Sequence, residues 1–161
     1  PDDYQILIER FIKSLNISKD DGLLLVGHGG LGSGNSSYGN LQFKLIREGL
    51  TNVRIAVLEN APYVADVAMP WEWLDGKRPN TIYVHPLLLV LGDHAQNDLF
   101  GDEEDSVINE LADYGYEVKP IHSALGEYEA IQDIFRQHVQ DCIDDLYGKR
   151  STHRPTIPNI K

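Results

Sequence analysis

Hydrophobic positions along the chain follow two periods in turn, and this pattern predicts strands alternating with helices. Residues 3 to 15 carry apolar side chains at the i, i+3, i+4 spacing of an amphipathic helix. Residues 22 to 27 form a short continuous apolar run, as a strand buried on both faces requires. Further strands are predicted at 52–59, 81–91 and 117–121, and helices at about 38–45, 63–75, 102–114 and 128–147.

This order predicts an α/β fold with three αβα layers, in which a four-stranded parallel sheet is preceded by an N-terminal helix. In such a sheet, ligands bind beyond the carboxyl ends of the strands. His28, Glu59 and His94 each lie at or just after the end of a predicted strand. We therefore expect them to converge on one rim, where two imidazoles and a carboxylate suit a divalent first-row metal with open coordination positions.

Composition narrows the classes of partner. The chain has 161 residues, with 14 Lys and Arg against 25 Asp and Glu, for a net charge of −11. Scattered basic residues argue against nucleic acid as a partner. No apolar run approaches the ~20 residues of a membrane span. The single Cys142 cannot form an internal disulfide, which suits a reducing compartment and makes the cytoplasm the default expectation.

The glycine-rich loop after the first strand has two interpretations. Residues 27–32 (GHGGLG) satisfy the dinucleotide fingerprint G-x-G-x-x-G, and Glu59 could take the place of its ribose-binding acid. In that fingerprint the third glycine belongs to the first helical turn, whereas here the loop continues through Ser36 before apolar periodicity begins. A dinucleotide site is therefore the weaker alternative, and the lack of a following Gly-Lys-Ser/Thr argues against a P-loop.

Two other features are predicted to be structural. Asp98 and residues 102–105 form an acidic cluster at a predicted helix start, where carboxylates interact favourably with the helix dipole. We favour this structural interpretation for Glu103 and Glu104, and metal delivery is the alternative role of the cluster. His138 falls on the apolar side of the last helix and is predicted to pack in the core. The inward set predicted for that helix is Ile131, Ile134, Phe135, Val139, Cys142 and Leu146.

Two loops and the segments after them carry a family pattern. The first loop reads Gly27-His28-Gly29, followed by Asn35, Tyr38 and Leu41-Gln42. The second reads Gly92-Asp93-His94-Ala95-Gln96-Asn97-Asp98, then Gly101-Asp102-Glu103-Glu104-Asp105-Ser106. The pattern continues as Gly115-Tyr116-Glu117-Val118 and Leu125-Gly126-Glu127. Over about residues 20 to 145, the chain resembles the anaerobic-type sirohydrochlorin cobaltochelatases, which are class II tetrapyrrole chelatases.

The resemblance implies a chelatase-like fold and a lyase that inserts Co²⁺ into sirohydrochlorin or precorrin-2 in cobalamin biosynthesis. Such an enzyme needs neither ATP nor an organic cofactor, and Fe²⁺ or Ni²⁺ are alternative metals because they accept the same ligands. By position, His28 and His94 match the family's catalytic, metal-binding histidines, and Glu59 matches its acidic ligand. For the tetrapyrrole carboxylates, the expected contacts are Gly29, Gly30, Asn35 and Ser36.

The chain also departs from the family. Gly30 and Gly32 stand where Thr and a second His are common, and residues 60–63 (NAPY) replace the usual Gly-Tyr-Pro after the acid. Family members have two similar α/β domains, and this chain matches the C-terminal one. We therefore expect an interdomain connection at 1–20, a C-terminal chelatase domain at 21–148 and a mobile tail at 149–161.

The missing half of the family's cleft leaves three interpretations. The chain begins at Pro1 without Met, which suggests a processed chain or part of a longer one. An N-terminal sister domain would complete the cleft, or two copies would do so as a homodimer. Alternatively, the chain is a non-catalytic module that binds cobalt or a tetrapyrrole.

Overall fold

A four-stranded parallel sheet forms the centre of the fold. The computed structural model describes residues 3–69, 71 and 76–148. The strands are β1 (Gly22–Gly29), β2 (Val53–Glu59), β3 (Thr81–Pro86) and β4 (Glu117–Pro120). Their order is β2-β1-β3-β4, and each neighbouring pair is parallel. The predicted α/β fold with a four-stranded parallel sheet is confirmed.

Six helices surround this sheet in the described part of the chain. They are α1 (Asp3–Ile6), α2 (Ser36–Arg47), α3 (Val64–Ala68), α4 (Asp93–Phe100), α5 (Val107–Asp113) and α6 (Glu129–Leu146). The predicted N-terminal helix continues from α1 through a π-helical turn (Leu7–Phe11) and a 3₁₀ turn (Ile12–Leu15). Asn16 ends it in the left-handed conformation with φ 50°. None of the described helices combines the length and apolar character that a membrane crossing needs.

The central strand β1 explains the continuous apolar run in the sequence. Leu23 and Leu25 enter one core layer, which also takes side chains from the N-terminal helical segment, α2 and α6. Leu24 and Val26 enter the opposite layer, with side chains from α3, α4 and α5. Both faces of the strand are covered, so polar residues have no solvent-facing position between residues 22 and 27.

The predicted third strand was too long. β3 ends at Pro86, and the apolar residues up to Leu91 leave the sheet. Leu87 still bonds to β1, its N–H donating to the Val26 carbonyl at 2.7 Å. At Leu88 the backbone turns to another segment, because the Leu88 carbonyl accepts from the Leu125 N–H at 2.8 Å. An apolar run alone did not show that this segment joins a loop instead of the ladder.

The helix predicted at about 102–114 is observed as α5, which begins later, at Val107, and the separate helix α4 before it was not predicted. The break comes at Gly101, where a Cβ would lie 2.5 Å from the Asn97 carbonyl oxygen. The acidic residues 102–105 therefore lie before α5 and not in its first turn. Asn109 holds this connection by donating its side-chain amide to the Glu103 carbonyl at 2.7 Å.

Only part of the predicted inward face of α6 is buried. Ile131 and Ile134 pack in the core as predicted. The other four predicted inward side chains are exposed: Phe135, Val139, Cys142 and Leu146. His138 is exposed as well, and its Nε2 lies 3.0 Å from Asp3 Oδ2. The buried face is offset around the helix from the apolar stripe, because the core covers the side that carries Ala130, Ile131 and Ile134.

Some predictions fall wholly or partly outside the described residues. The helix predicted at 63–75 is observed as α3, while residues 70 and 72–75 lie outside the description. The tail predicted at 149–161 also lies outside it.

A buried histidine links the end of β3 to the start of α6. His85 is fully buried, and its Nδ1 donates to the Pro86 carbonyl at 2.7 Å. Nε2 therefore carries the lone pair and accepts from the Tyr128 hydroxyl at 2.9 Å. Ser123 Oγ lies 2.7 Å from the same hydroxyl. Burial lowers the pKa of His85 from its ordinary value of 6.5, against the Pro86 carbonyl and the Glu127 carboxylate, which raise it.

The lowered pKa predicts a pH dependence of stability. Below the ordinary value of 6.5 the unfolded chain binds a proton at His85 that the folded chain does not. The free energy of unfolding should therefore fall as the pH drops from 6.5 through the lowered pKa. Urea unfolding between about pH 7.5 and about pH 5.5 tests this, with His85→Gln as the comparison. The gap in stability between wild type and variant should narrow towards low pH; parallel curves would contradict the prediction.

Candidate metal site at the carboxyl edge of the sheet

Two of the three predicted metal ligands lie side by side. In the parallel register of β1 and β2, Gly29 pairs with Glu59, so His28 comes out of the sheet beside the Glu59 carboxylate. The distance from His28 Nδ1 to Glu59 Oε2 is 4.0 Å, and each side chain is 60% exposed. Both groups are therefore within reach of a ligand that arrives from solvent.

Glycines on both sides of His28 allow this close approach. A Cβ at Gly27 would lie 2.5 Å from the Tyr38 ring. Gly29 has φ +81°, and a Cβ there would overlap the Glu59 carbonyl oxygen. The Gly29 N–H donates to the Tyr38 hydroxyl at 3.4 Å. The glycine pattern thus brings α2 and β2 close to the strand end that carries His28.

An open cavity of about 230 Å³ adjoins this pair. Its lining residues are His28, Leu58, Glu59, Asp98 and Asp105. Three carboxylates and one imidazole surround it, and this described lining contains no lysine or arginine. Converging carboxylates in a concave site attract cations and repel anions. The cavity therefore suits a positively charged ligand.

Asp98 and Asp105 are functional candidates that the sequence reasoning assigned to a helix start. Asp98 lies in α4, and Asp105 lies in the connection before α5. The helix break at Gly101 separates them, yet both line the cavity. No residue spacing signals this arrangement, because it depends on where the helix breaks.

His94 lies apart from the His28–Glu59 pair. It is exposed and is the second residue of α4, following the loop that leaves β3. The cavity lining does not include it. Within the described ranges, no group of three or more His, Cys, Asp or Glu side chains is close enough to hold a metal ion. The role of His94 as a third metal ligand stays a prediction.

The predicted substrate-binding residues have partners within the loops. The Asn35 amide donates to the Glu59 carbonyl at 3.3 Å and to the Ala61 carbonyl at 3.0 Å. Ser36 Oγ donates to the Ser33 carbonyl at 2.7 Å, and the Gly30 carbonyl accepts from the Asn60 amide at 2.9 Å. Their contact with a substrate, and that of Gly29, stays a prediction.

The helix after the glycine loop begins too late for the dinucleotide fingerprint. Gly32 opens a 3₁₀ turn that ends at Asn35, and α2 begins at Ser36. The fingerprint needs its third glycine within the helix, where the helix N-terminus meets the pyrophosphate. This geometry does not favour the dinucleotide alternative.

Comparison with known proteins points to one enzyme family. The family model described as Cobalt chelatase (CbiK) matches residues 1–144. The sirohydrochlorin cobaltochelatase of Salmonella typhimurium is 26% identical over 143 residues, which cover 88% of this chain and 53% of that protein. The sirohydrochlorin cobaltochelatase CbiKC of Nitratidesulfovibrio vulgaris is 28% identical over 127 residues, which cover 79% of this chain and 44% of that protein. The chain thus spans about half the length of these curated relatives.

A solved structure shares the fold. The crystal structure of a CbiX protein of Marinobacter aquaeolei, described as a cobalamin biosynthesis protein, matches with a TM-score of 0.59 and 17% sequence identity. The match covers 78% of this chain and 98% of that one. The chelatase-like architecture expected from the sequence is therefore confirmed at the level of the fold.

The two neighbouring glycines after His28 give a paired prediction. Gly29→Ala forces a left-handed backbone on alanine and drives its Cβ into the Glu59 carbonyl, so it should lower the free energy of unfolding by about 2 kcal/mol or more. Gly30→Ala is the control, because a Cβ there meets nothing within 4 Å; we expect a change within about 0.5 kcal/mol. Urea unfolding measures both, and equal losses in the two variants would contradict the close approach.

Proposed function

Because this chain belongs to the cobalt chelatase (CbiK) family, we propose that it is the metal-handling α/β half of a sirohydrochlorin cobaltochelatase. The proposed reaction is ATP-independent insertion of Co²⁺ into sirohydrochlorin in cobalamin biosynthesis, with no organic cofactor. The observation that carries the proposal is the His28–Glu59 pair at the mouth of an anionic cavity. A site of this kind recruits a cation and leaves it accessible.

His28 and Glu59 lie close enough to share one ion after a small side-chain adjustment. Two metal–ligand bonds of about 2.1 Å at a tetrahedral angle place their donor atoms about 3.4 Å apart. The pair would close to this distance from 4.0 Å, which side chains that are each 60% exposed can do. His94 is proposed as the third metal-ligating residue, supplied by α4. Two or three ligands leave coordination positions open, which a substrate metal requires because it must pass to the ring nitrogens.

Insertion also requires a proton acceptor. Co²⁺ replaces two pyrrole N–H protons, so the ring loses two protons as four Co–N bonds form. His28, His94 and Glu59 are the proposed acceptors, since imidazole and carboxylate groups take up protons near neutral pH more readily than water does.

The ligand types suit several metals, and the family description selects among them. Imidazole and carboxylate accept cobalt, iron and nickel alike, and selection often depends on availability. The family description favours cobalt. We therefore propose Co²⁺ as the substrate metal, with Fe²⁺ and Ni²⁺ as competing ions that the same side chains would bind.

Binding of the tetrapyrrole carboxylates requires donor groups beyond those that line the cavity. These carboxylates would be repelled by the cavity, whose described lining carries no basic side chain. We propose that N–H groups of the loop formed by Gly29, Gly30, Asn35 and Ser36 bind some of them. The rest would contact a second α/β half, either a sister domain of the same protein or a second copy of this chain.

Two observations support a second half. The chain spans about half the length of the curated relatives. Helix α6 exposes a stripe of apolar side chains, including Phe135 (51% exposed), Val139 (61%) and Leu146 (83%). Without that half, the alternative is a non-catalytic module that binds cobalt or a tetrapyrrole.

We propose a cytoplasmic location, following the single cysteine and the proposed biosynthetic role.

Anaerobic absorbance spectroscopy of sirohydrochlorin with Co²⁺ tests the activity. If two copies of this chain form the cleft, we expect multiple turnovers above the uncatalysed rate with substoichiometric protein, at a rate per chain that rises with chain concentration. If a sister domain forms it, acceleration should require addition of that domain. Binding of one equivalent without turnover would favour the module alternative and refute the enzymatic proposal for this chain alone.

Glu59→Gln provides the site control for the same assay. Removing the carboxylate should lower the insertion rate by about 10-fold or more, because ligand and near-ligand changes have effects of this size. Glu117→Gln is the matched carboxylate at the opposite edge of the sheet, where Glu117 pairs with Lys119 at 3.4 Å. It should retain the wild-type rate, and an equal loss in both variants would refute the assigned site.

A further inference from the structure

Two asparagines connect the loops that follow the strands of the candidate metal ligands, His28 in β1 and Glu59 in β2. Asn35, at the end of the 3₁₀ turn after β1, donates its amide to the carbonyl oxygens of Glu59 (3.3 Å) and Ala61 (3.0 Å). Asn60, in the loop after β2, donates its amide to the Gly30 carbonyl at 2.9 Å. Each loop thus donates to the backbone of the other, and the contacts hold Glu59 and the two residues that follow it.

This reciprocal pair acts where the sheet no longer holds the two loops together. The β1–β2 register ends at Gly29 and Glu59. Beyond that point, side-chain amides replace the backbone ladder between the loops. The side chains of His28 and Glu59 are each 60% exposed, so surrounding packing does little to fix them. Their separation therefore depends on where the backbone places Glu59.

The residue after the acid has two roles in this connection. Asn60 has φ 68°, a left-handed conformation that glycine also adopts readily. A glycine there would keep the backbone turn but would lack the amide that binds Gly30. Asn60 therefore supplies both the turn and a contact between the loops.

We propose that Asn35 and Asn60 are positioning residues that hold Glu59 within reach of a metal ion bound to His28. The inference rests on the proposed metal-handling function. His28 Nδ1 and Glu59 Oε2 lie 4.0 Å apart, and they must come closer to share one ion, since two bonds of about 2.1 Å at a tetrahedral angle place their donor atoms about 3.4 Å apart. A Glu59 backbone that is free to move outward makes this closed arrangement less populated.

The test compares asparagines of matched chemistry at opposite ends of β2. Asn35→Ala and Asn60→Gly remove the loop contacts, and Asn60→Gly keeps a residue that tolerates the left-handed turn. Asn52→Ala is the control, because the Asn52 amide also donates to two carbonyls, those of Ser18 (3.0 Å) and Asp21 (2.9 Å), at the other end of the strand. Titration of the tetrapyrrole-free protein with Co²⁺ gives the dissociation constant of each variant.

We expect Asn35→Ala and Asn60→Gly to weaken Co²⁺ binding about 10-fold, as loss of groups that orient metal ligands commonly does. Amide hydrogen exchange at residues 59–62 should accelerate in the same variants. Asn52→Ala should lower the unfolding temperature while the Co²⁺ dissociation constant stays within about 2-fold of wild type. This separates positioning from general stability, which all three amides support.

His28→Ala in the same titration separates the two levels of inference. If His28→Ala weakens Co²⁺ binding but both loop variants bind as wild type does, the positioning role is overturned and the proposed site stands. If Asn52→Ala weakens binding as much as the loop variants do, positioning is also overturned, because the loss then follows stability. If His28→Ala binds Co²⁺ like wild type, both the site and the positioning role are overturned.

Discussion

The parallel register of β1 against β2 is the constraint on which the candidate site depends. It pairs Gly29 with Glu59, so the two strands end together and present His28 and a carboxylate at one edge. β1 is covered on both faces by two separate core layers, so its apolar run does not by itself set the register. The close approach at the strand end limits it: a slip that moved His28 to the place of Gly29 would drive a side chain into the Glu59 carbonyl, since a Cβ there lies 2.0 Å from the oxygen.

The same edge also imposes a close approach that only certain residues allow. Gly29 must lack a side chain where the Glu59 backbone passes, and Gly27 must lack one where Tyr38 packs. The glycines around His28 therefore serve packing between β1, β2 and α2. This accounts for a glycine-rich loop that resembles a nucleotide fingerprint in letters but begins its helix only at Ser36.

Those parts of the structure that follow from local periodicity and the carboxyl-edge rule could be predicted from the sequence. The buried run of β1, the strand–helix alternation and the meeting of His28 with Glu59 are of this kind. Helix α4 was not predicted, since Leu99 is its one buried side chain and so short a helix shows little apolar periodicity. For that reason the cavity positions of Asp98 and Asp105 were also missed. The apolar stripe of α6 was found, but periodicity does not say which neighbour covers it, and Phe135 and Val139 are exposed.

Under the proposed function, the charge of the cavity separates two tasks, which are metal binding by this chain and tetrapyrrole binding that requires a second half. A cavity lined by Glu59, Asp98 and Asp105 attracts a divalent cation, whereas a polycarboxylate tetrapyrrole needs donors that this described lining lacks. The proposed coordination by His28 and Glu59 would leave positions open, which suits a metal that must be transferred and not retained. The half-length match to the curated cobaltochelatases agrees with this division, since the macrocycle would contact a second half.

Anomalous scattering at the cobalt absorption edge, from crystals soaked in Co²⁺, tests the central claim most directly because it locates the ion without reference to turnover. The account predicts an anomalous peak within about 2.5 Å of both a His28 ring nitrogen and a Glu59 carboxylate oxygen. Well-diffracting crystals with peaks only elsewhere, including peaks held by Asp98 and Asp105 without His28, would contradict it.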